Sequence, residues 1–365
     1  MVNPMKISSV QIFWLMISME IGMTVLLTIT PAIRAAKQDA WISMLIAAVA
    51  GILITFIATK LSLLYPNQTL IQFSQTILGK WLGKAIVVPY FVMWYSVMGI
   101  ILRQSSDFIQ IVLFRKTPLW AVVLLALILM IYATYQGGIE GIGRCSELLG
   151  PFIVLMITAV LVLCYHNMHW TRILPVYQDS GWFTIFKGAV SPISFLGESV
   201  MMTMLVAFMS KPKDGLSRAM WGVGLSCLLL LLSTLAAILT FGNLASRMWY
   251  PFFDMARYVS VMDFIQNIDA VVVIVWLLSV FIKLSLYMFI ASYGTAQWLG
   301  MKDWRKPIWF ISPIVFVLAL LPANIDVASM DYPTKFWIPY ILPINIVGIP
   351  VLLWTVGSIR KKWAK

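Results

Sequence analysis

Along the chain, uncharged apolar runs alternate with short clusters of charge. Trp41–Thr59, Ala85–Leu102, Pro118–Ile139, Leu148–Tyr165, Ala219–Ser246, Pro307–Ile325 and Phe336–Ile359 carry no charge at all. Three further runs would match them but for one charge each: Ile7–Ile33 holds Glu20, Gly188–Ser210 holds Glu198, and Ala270–Met301 holds Lys283. Each run can cross a hydrocarbon core as a helix, for which about 20 residues suffice. The pattern predicts an all-α membrane protein of about ten transmembrane helices, forming a single transmembrane domain over residues 1–365. The first run is too long for a signal peptide, carries Glu20 and lacks a clear cleavage site, so it is retained as the first helix.

Composition agrees. Apolar residues make up 61% of the chain and charged residues 11%, against about 45–50% and about 25% in soluble domains. If the N-terminus is cytoplasmic, fifteen Lys and Arg fall inside and nine outside, which favours both termini inside. The net charge of +12 then reads as topology and contact with anionic lipid. No stretch outside the runs is long enough to fold a nucleic-acid reader. The basic tail Arg360–Lys365 acts as a stop-transfer anchor. Cys145, Cys164 and Cys227 are widely spaced in apolar sequence, which argues against disulfides or a zinc site.

Loops are expected to be short except at Gln68–Leu82, His166–Trp182, Leu244–Asn267 and Asp326–Lys335. The pattern from Thr69 to Leu82 suits a helix lying at the cytoplasmic interface. The stretch from Trp249, with Asp254, Arg257 and Asp263 among aromatics, predicts a short external helix capping the bundle.

Ten helices divided into two groups of five make an inverted repeat, because an odd number reverses the second group. The halves run over approximately 7–165 and 186–360. The first helix of each half carries a lone glutamate beside a glycine: Glu20 with Gly22, and Glu198 after Gly197. Glycine weakens a helix, and paired glycine interruptions in matching positions point to a midplane binding site. Both helices are therefore expected to be interrupted at these positions, facing protein or a wet cavity.

At these residues the chain resembles the B subunits of spore germinant receptors, a branch of the amino acid-polyamine-organocation superfamily with a LeuT-like fold. Ile193-Ser194-Phe195-Leu196-Gly197 carries the resemblance most strongly. Gly22 with Pro31, Gly79-Lys80-Trp81-Leu82-Gly83, Arg115-Lys116-Thr117-Pro118 and Leu174-Pro175-Val176 extend it over most of the chain. One departure is Thr24, where relatives commonly have a second glycine. The resemblance implies a permease-like subunit of the spore inner membrane, partnered by an A subunit and a lipoprotein C subunit, that senses a small nutrient. It also implies pocket-lining roles for Met93 and Val97, although for apolar residues ordinary packing is the stronger expectation.

The candidate ligand-binding residues are Glu20, Gly22, Met23, Thr24, Met93, Val97, Phe195, Leu196, Gly197, Glu198, Lys283 and Tyr287. Glu20 reads equally as a ligand-amine or proton site and as a group that pins its helix to a neighbour, since an intramembrane acid is costly and rare. Glu198 can bind ligand, or cap the second half of the sixth helix, the slightly favoured reading. Lys283, one turn before Tyr287 on the same face, can take the place of the sodium ion that sodium-coupled relatives of this fold hold between the first and eighth helices, or pair with Glu20. Both alternatives bury it. Arg103 and Asp107, four apart, form a structural pair.

His166 and His169 lack the acids or thiols of a metal site, and the glycine-rich stretch Gly137–Gly143 lacks the lysine and hydroxyl of a phosphate loop. No cofactor, metal or enzymatic activity is expected. The leading reading is a nutrient sensor that binds an amino acid between the first and sixth helices, with walls from the third and eighth. The alternatives are an ion- or proton-coupled transporter of amino acids or amines, and an anchor subunit with a vestigial pocket.

Overall fold

Ser8 starts the first membrane helix with a capping box, its hydroxyl accepting the Gln11 N–H at 3.1 Å while the Gln11 side chain accepts the Ser8 N–H at 2.9 Å. From this start, residues 5–261, 265–266 and 268–363 are described by a computed structural model. Asp263, Asn267 and Lys365 lie outside the described residues.

The membrane helices follow in chain order. They are α1 (Ser9–Leu27, continued beyond a bend by Ile29–Ala36), α2 (Ala40–Leu64), α3 (Val88–Val112), α4 (119–137), α5 (139–163), α6 (Gly181–Leu196, continued by tighter turns to Phe208), α7 (Gly215–Phe241), α8 (Asp269–Leu299), α9 (Ile308–Leu320) and α10 (Val327–Trp363). Among the described residues, eight helices are long and apolar enough to cross a membrane. One of them, Leu119–Leu163, is 45 residues long and would extend about 68 Å, more than a bilayer accommodates. Gly138, at φ +52°, divides it into α4 and α5, and with the shorter α9 the membrane helices among the described residues number ten. This glycine is tucked beside Met5 and Trp304.

α1 packs against α7, α5 and α8, α2 against α6 and α7, and α9 against α3. Short helices Leu70–Leu78 and Lys80–Ile86 meet at Gly79, whose φ of +88° suits glycine. They bury Leu70, Ile71, Phe73 and Ile77 while Trp81 and Leu82 stay exposed, as an interfacial element should. A short helix forms, as expected, at Pro251–Arg257, burying Phe252, Phe253 and Met255. After it comes a two-stranded antiparallel ladder, β1 (Ser260–Val261) with β2 (Ile265–Gln266).

Three local expectations are corrected. α1 runs unbroken through Glu20, Gly22 and Thr24, and its bend lies at Thr28. Pro31 is the cause, because it cannot donate to the Leu27 carbonyl and its ring crowds that oxygen. Thr24 and Thr28 add to the bend by bonding back to the carbonyls of Glu20 and Thr24.

In α6 the chain does not unwind at Gly197. It tightens into a 3-10 turn over Gly197–Met201. The stretch Asp326–Lys335, expected as a loop, is helical from Val327, and Pro333–Gly348 winds as a wide π-helix. Pro339 and Pro343 lack the N–H groups that α-helical winding would use there.

Candidate functional site

The tight turn at Gly197 is closely packed by its neighbours. A Cβ on Gly197 would stand 2.7 Å from Ile346 of α10, so glycine lets α6 and α10 close together. The turn carries Glu198 into the bundle interior, where it is 2% exposed. Its Oε1 accepts from Lys283 Nζ at 2.9 Å and its Oε2 from the Tyr287 hydroxyl at 2.5 Å. Lys283 and Tyr287 are one turn apart on α8, which explains how both reach one carboxylate. The ammonium also lies 5.8 Å above the Phe195 ring.

This arrangement corrects two readings. With both oxygens engaged by α8, Glu198 is not a helix cap. Lys283 is buried, as expected, but its ion-pair partner is Glu198 on α6, not Glu20 on α1.

Glu20 is fully buried, and neither carboxylate oxygen has a hydrogen-bond partner among the described residues. The Ser199 backbone N–H faces it without reaching hydrogen-bond geometry, and Glu198 and Lys283 are within electrostatic reach. Gly22 serves close packing: a Cβ there would meet the Ser279 Oγ at 2.3 Å and Cβ at 2.6 Å. Ser279 in turn donates to the Ser18 carbonyl at 2.5 Å, joining α8 to α1. Met23 and Thr24 are buried in α1, the Thr24 hydroxyl held by the Glu20 carbonyl. Leu196 is buried against Gly51 of α2.

Beside Glu198 lies a cavity of about 20 Å³, lined by Val97, Ile101 and Gln104 of α3, Phe195 and Glu198 of α6, and Tyr332 and Trp337 of α10. That volume holds a single water molecule. Val97 and Phe195 line it as candidate residues, whereas Met93 is buried elsewhere in the core. The α1 candidates do not line it, and the walls come from α3, α6 and α10 instead of α3 and α8.

Gln104, Tyr332 and Trp337 went unrecognised in the sequence. A glutamine inside an apolar run was the available signal for the first. Tyr332 was hidden by reading Asp326–Lys335 as loop, and Trp337, within the apolar run Phe336–Ile359, carried no signal to set it apart. Tyr332 donates to Ser96 at 2.8 Å, and the Trp337 indole to the Ser194 carbonyl at 3.2 Å, so both are fixed in place.

Chemically, the site offers one carboxylate at the cavity wall with an ammonium and a phenol behind it. Arg103 and Asp107 pair at 2.9 Å, and Arg103 also reaches the Pro322 carbonyl, tying α3 to the chain after α9. Among the described residues, no group of three or more His, Cys, Asp or Glu is placed to hold a metal.

A family model described as spore germination protein matches residues 6–328. Spore germination protein YndE of Bacillus subtilis (strain 168) is 25% identical over 337 residues, covering 91% of this chain and 90% of the relative. Spore germination protein KB of the same organism is 25% identical over 366 residues, covering 98% and 96%. Among solved structures, MhsT in complex with L-phenylalanine superposes with a TM-score of 0.68 at 12% identity, covering 98% of this chain and all of that one. This likeness shows the fold, that of LeuT-like transporters.

Proposed function

The chain belongs to the spore germination protein family, and from that premise we propose that it is the nutrient-sensing, permease-like subunit of a germinant receptor. It is an integral membrane protein and not an enzyme. The nutrient, an amino acid, binds beside Glu198 between α3, α6 and α10. The observation that carries this reading is the cavity itself: an intramembrane carboxylate, carried inward by the tight turn after Gly197, at the wall of a small space between helices. At about 20 Å³ the space is too small for an amino acid, so ligand entry requires α10 or α6 to move. Such a movement is what a sensor passes to its partners.

The same reading assigns the chain to the spore inner membrane, with both termini cytoplasmic, and its halves to an inverted repeat over approximately 7–165 and 186–360. A and C subunits receive the signal. Of the candidate residues, Phe195, Glu198 and Val97 touch ligand. Lys283 and Tyr287 position Glu198, while Glu20, Gly22, Met23, Thr24, Met93, Leu196 and Gly197 belong to the buried packing of the bundle.

A second reading, an ion- or proton-coupled amino acid or amine transporter, draws on the fold shared with a protein solved with L-phenylalanine bound. Reconstitution of the purified chain into liposomes, with labelled amino acids, separates the two. Saturable binding without accumulation is expected. Accumulation driven by an imposed proton or sodium gradient would replace the sensor with the transporter.

A further inference from the structure

Glu20, Glu198 and Lys283 sum to −1 when all are charged, and they are buried together in a region where net charge is costly. Lys283 satisfies Glu198, and Glu20 is left with no partner. A neutral cluster therefore holds one more proton, and the unpaired Glu20 carboxyl is the group left to hold it. The groups facing Glu20 are Glu198 and the Ser199 N–H from α6, Lys283 and Tyr287 from α8, and Cys227 from α7. Tyr332 of α10 faces Glu198 from the other side. None of these besides Lys283 is a cation.

Glu198 lies on the cavity and Glu20 does not. An ammonium group entering the cavity thus meets a carboxylate that already holds the ammonium of Lys283. Lysine is a point charge on a flexible stem, and a second buried carboxyl lies within its electrostatic reach.

We propose that Lys283 is an internal stand-in for the ammonium group of the ligand, displaced from Glu198 onto Glu20 when ligand binds. The inference rests on the proposed pocket and names its ligand class as molecules carrying a primary ammonium. Before binding, Glu198 is paired with Lys283 and Glu20 carries a proton. After binding, Glu198 is paired with the ligand ammonium, Lys283 with ionised Glu20, and one proton has left Glu20 for water. The cluster is neutral in both states. Because Glu198 belongs to α6, Lys283 to α8 and Glu20 to α1, the exchange links occupancy at α6 to α1.

The test uses the full chain in nanodiscs, with methylammonium chloride as probe and sodium chloride at equal ionic strength as control. Glu20→Gln keeps the shape but gives displaced Lys283 no counter-charge, so methylammonium affinity is expected to fall by about a hundredfold. In a Lys283→Met background nothing is displaced, and adding Glu20→Gln is expected to change affinity by less than about threefold. Infrared difference spectra of the wild type, which do not depend on how Lys283→Met folds, are expected to lose a protonated-carboxyl band on methylammonium binding. That band is absent from Glu20→Gln.

Equal penalties for Glu20→Gln in both backgrounds, or a carboxyl band unchanged by binding, would overturn the exchange. If Glu198→Gln still abolished binding, the pocket would stand without it. Failure of the wild type to bind methylammonium at all, together with no binding of any amino acid, would overturn the pocket as well.

Discussion

Burying Lys283 and Glu198 costs several kcal/mol per ion in lost hydration. That cost is offset only because the ammonium meets the carboxylate at 2.9 Å and the Tyr287 hydroxyl satisfies the second oxygen. The presence of these residues was legible in the sequence, since a lone charge in an apolar run is conspicuous. Their pairing was not. Whether Lys283 meets Glu20 or Glu198 depends on how α8 is rotated against α1 and α6, which no spacing within one helix determines. Gly22 was misread for a related reason: a glycine that opens a helix and one that lets another helix approach look alike in sequence. Its contact with Ser279 gives a direct check. Gly22→Ala is expected to destabilise the chain by about 1–3 kcal/mol through overpacking, and Ser279→Gly in the same chain to recover most of that. Thermal unfolding in detergent measures both. A Gly22→Ala chain as stable as wild type would show that α1 and α8 are not in this contact.

At the scale of elements, the ten described helices, the short pair over residues 70–86 and the short helix Pro251–Arg257 were legible because each depends on local pattern: apolar runs, capping residues and amphipathic spacing. The site of the α1 bend was legible in principle, since Pro31 marks it, but the glycine beside Glu20 drew attention away. Replacing Pro31 by Ala supplies the missing donor to Leu27. An added helical hydrogen bond is worth about 1 kcal/mol, so amides around Thr28 are expected to exchange several-fold to about tenfold more slowly in Pro31→Ala, read by hydrogen–deuterium exchange. Unchanged exchange would mean that the bend has another cause. The winding of α10 could not be foreseen, because Pro339 and Pro343 in an apolar run are equally compatible with a kink, a break or a wider coil. That winding, with the helix starting earlier than expected, presents Tyr332 and Trp337 as one wall of the cavity.

For the whole molecule, the family and the fold follow from matches spanning most of the chain, and the structure has a small, nearly filled cavity at the junction of α3, α6 and α10. The central claim is that this space, opened by movement of its walls, is where nutrient binds. Val97 lines it from α3 and takes part in no charge pair. Equilibrium binding of labelled amino acids to the wild type and to Val97→Phe, each shown by thermal unfolding to be folded, tests the claim directly. The account predicts saturable binding of at least one amino acid by the wild type and a loss of about tenfold or more in Val97→Phe, whose added ring fills the space. Equal binding by the two proteins would place the ligand elsewhere and contradict the account.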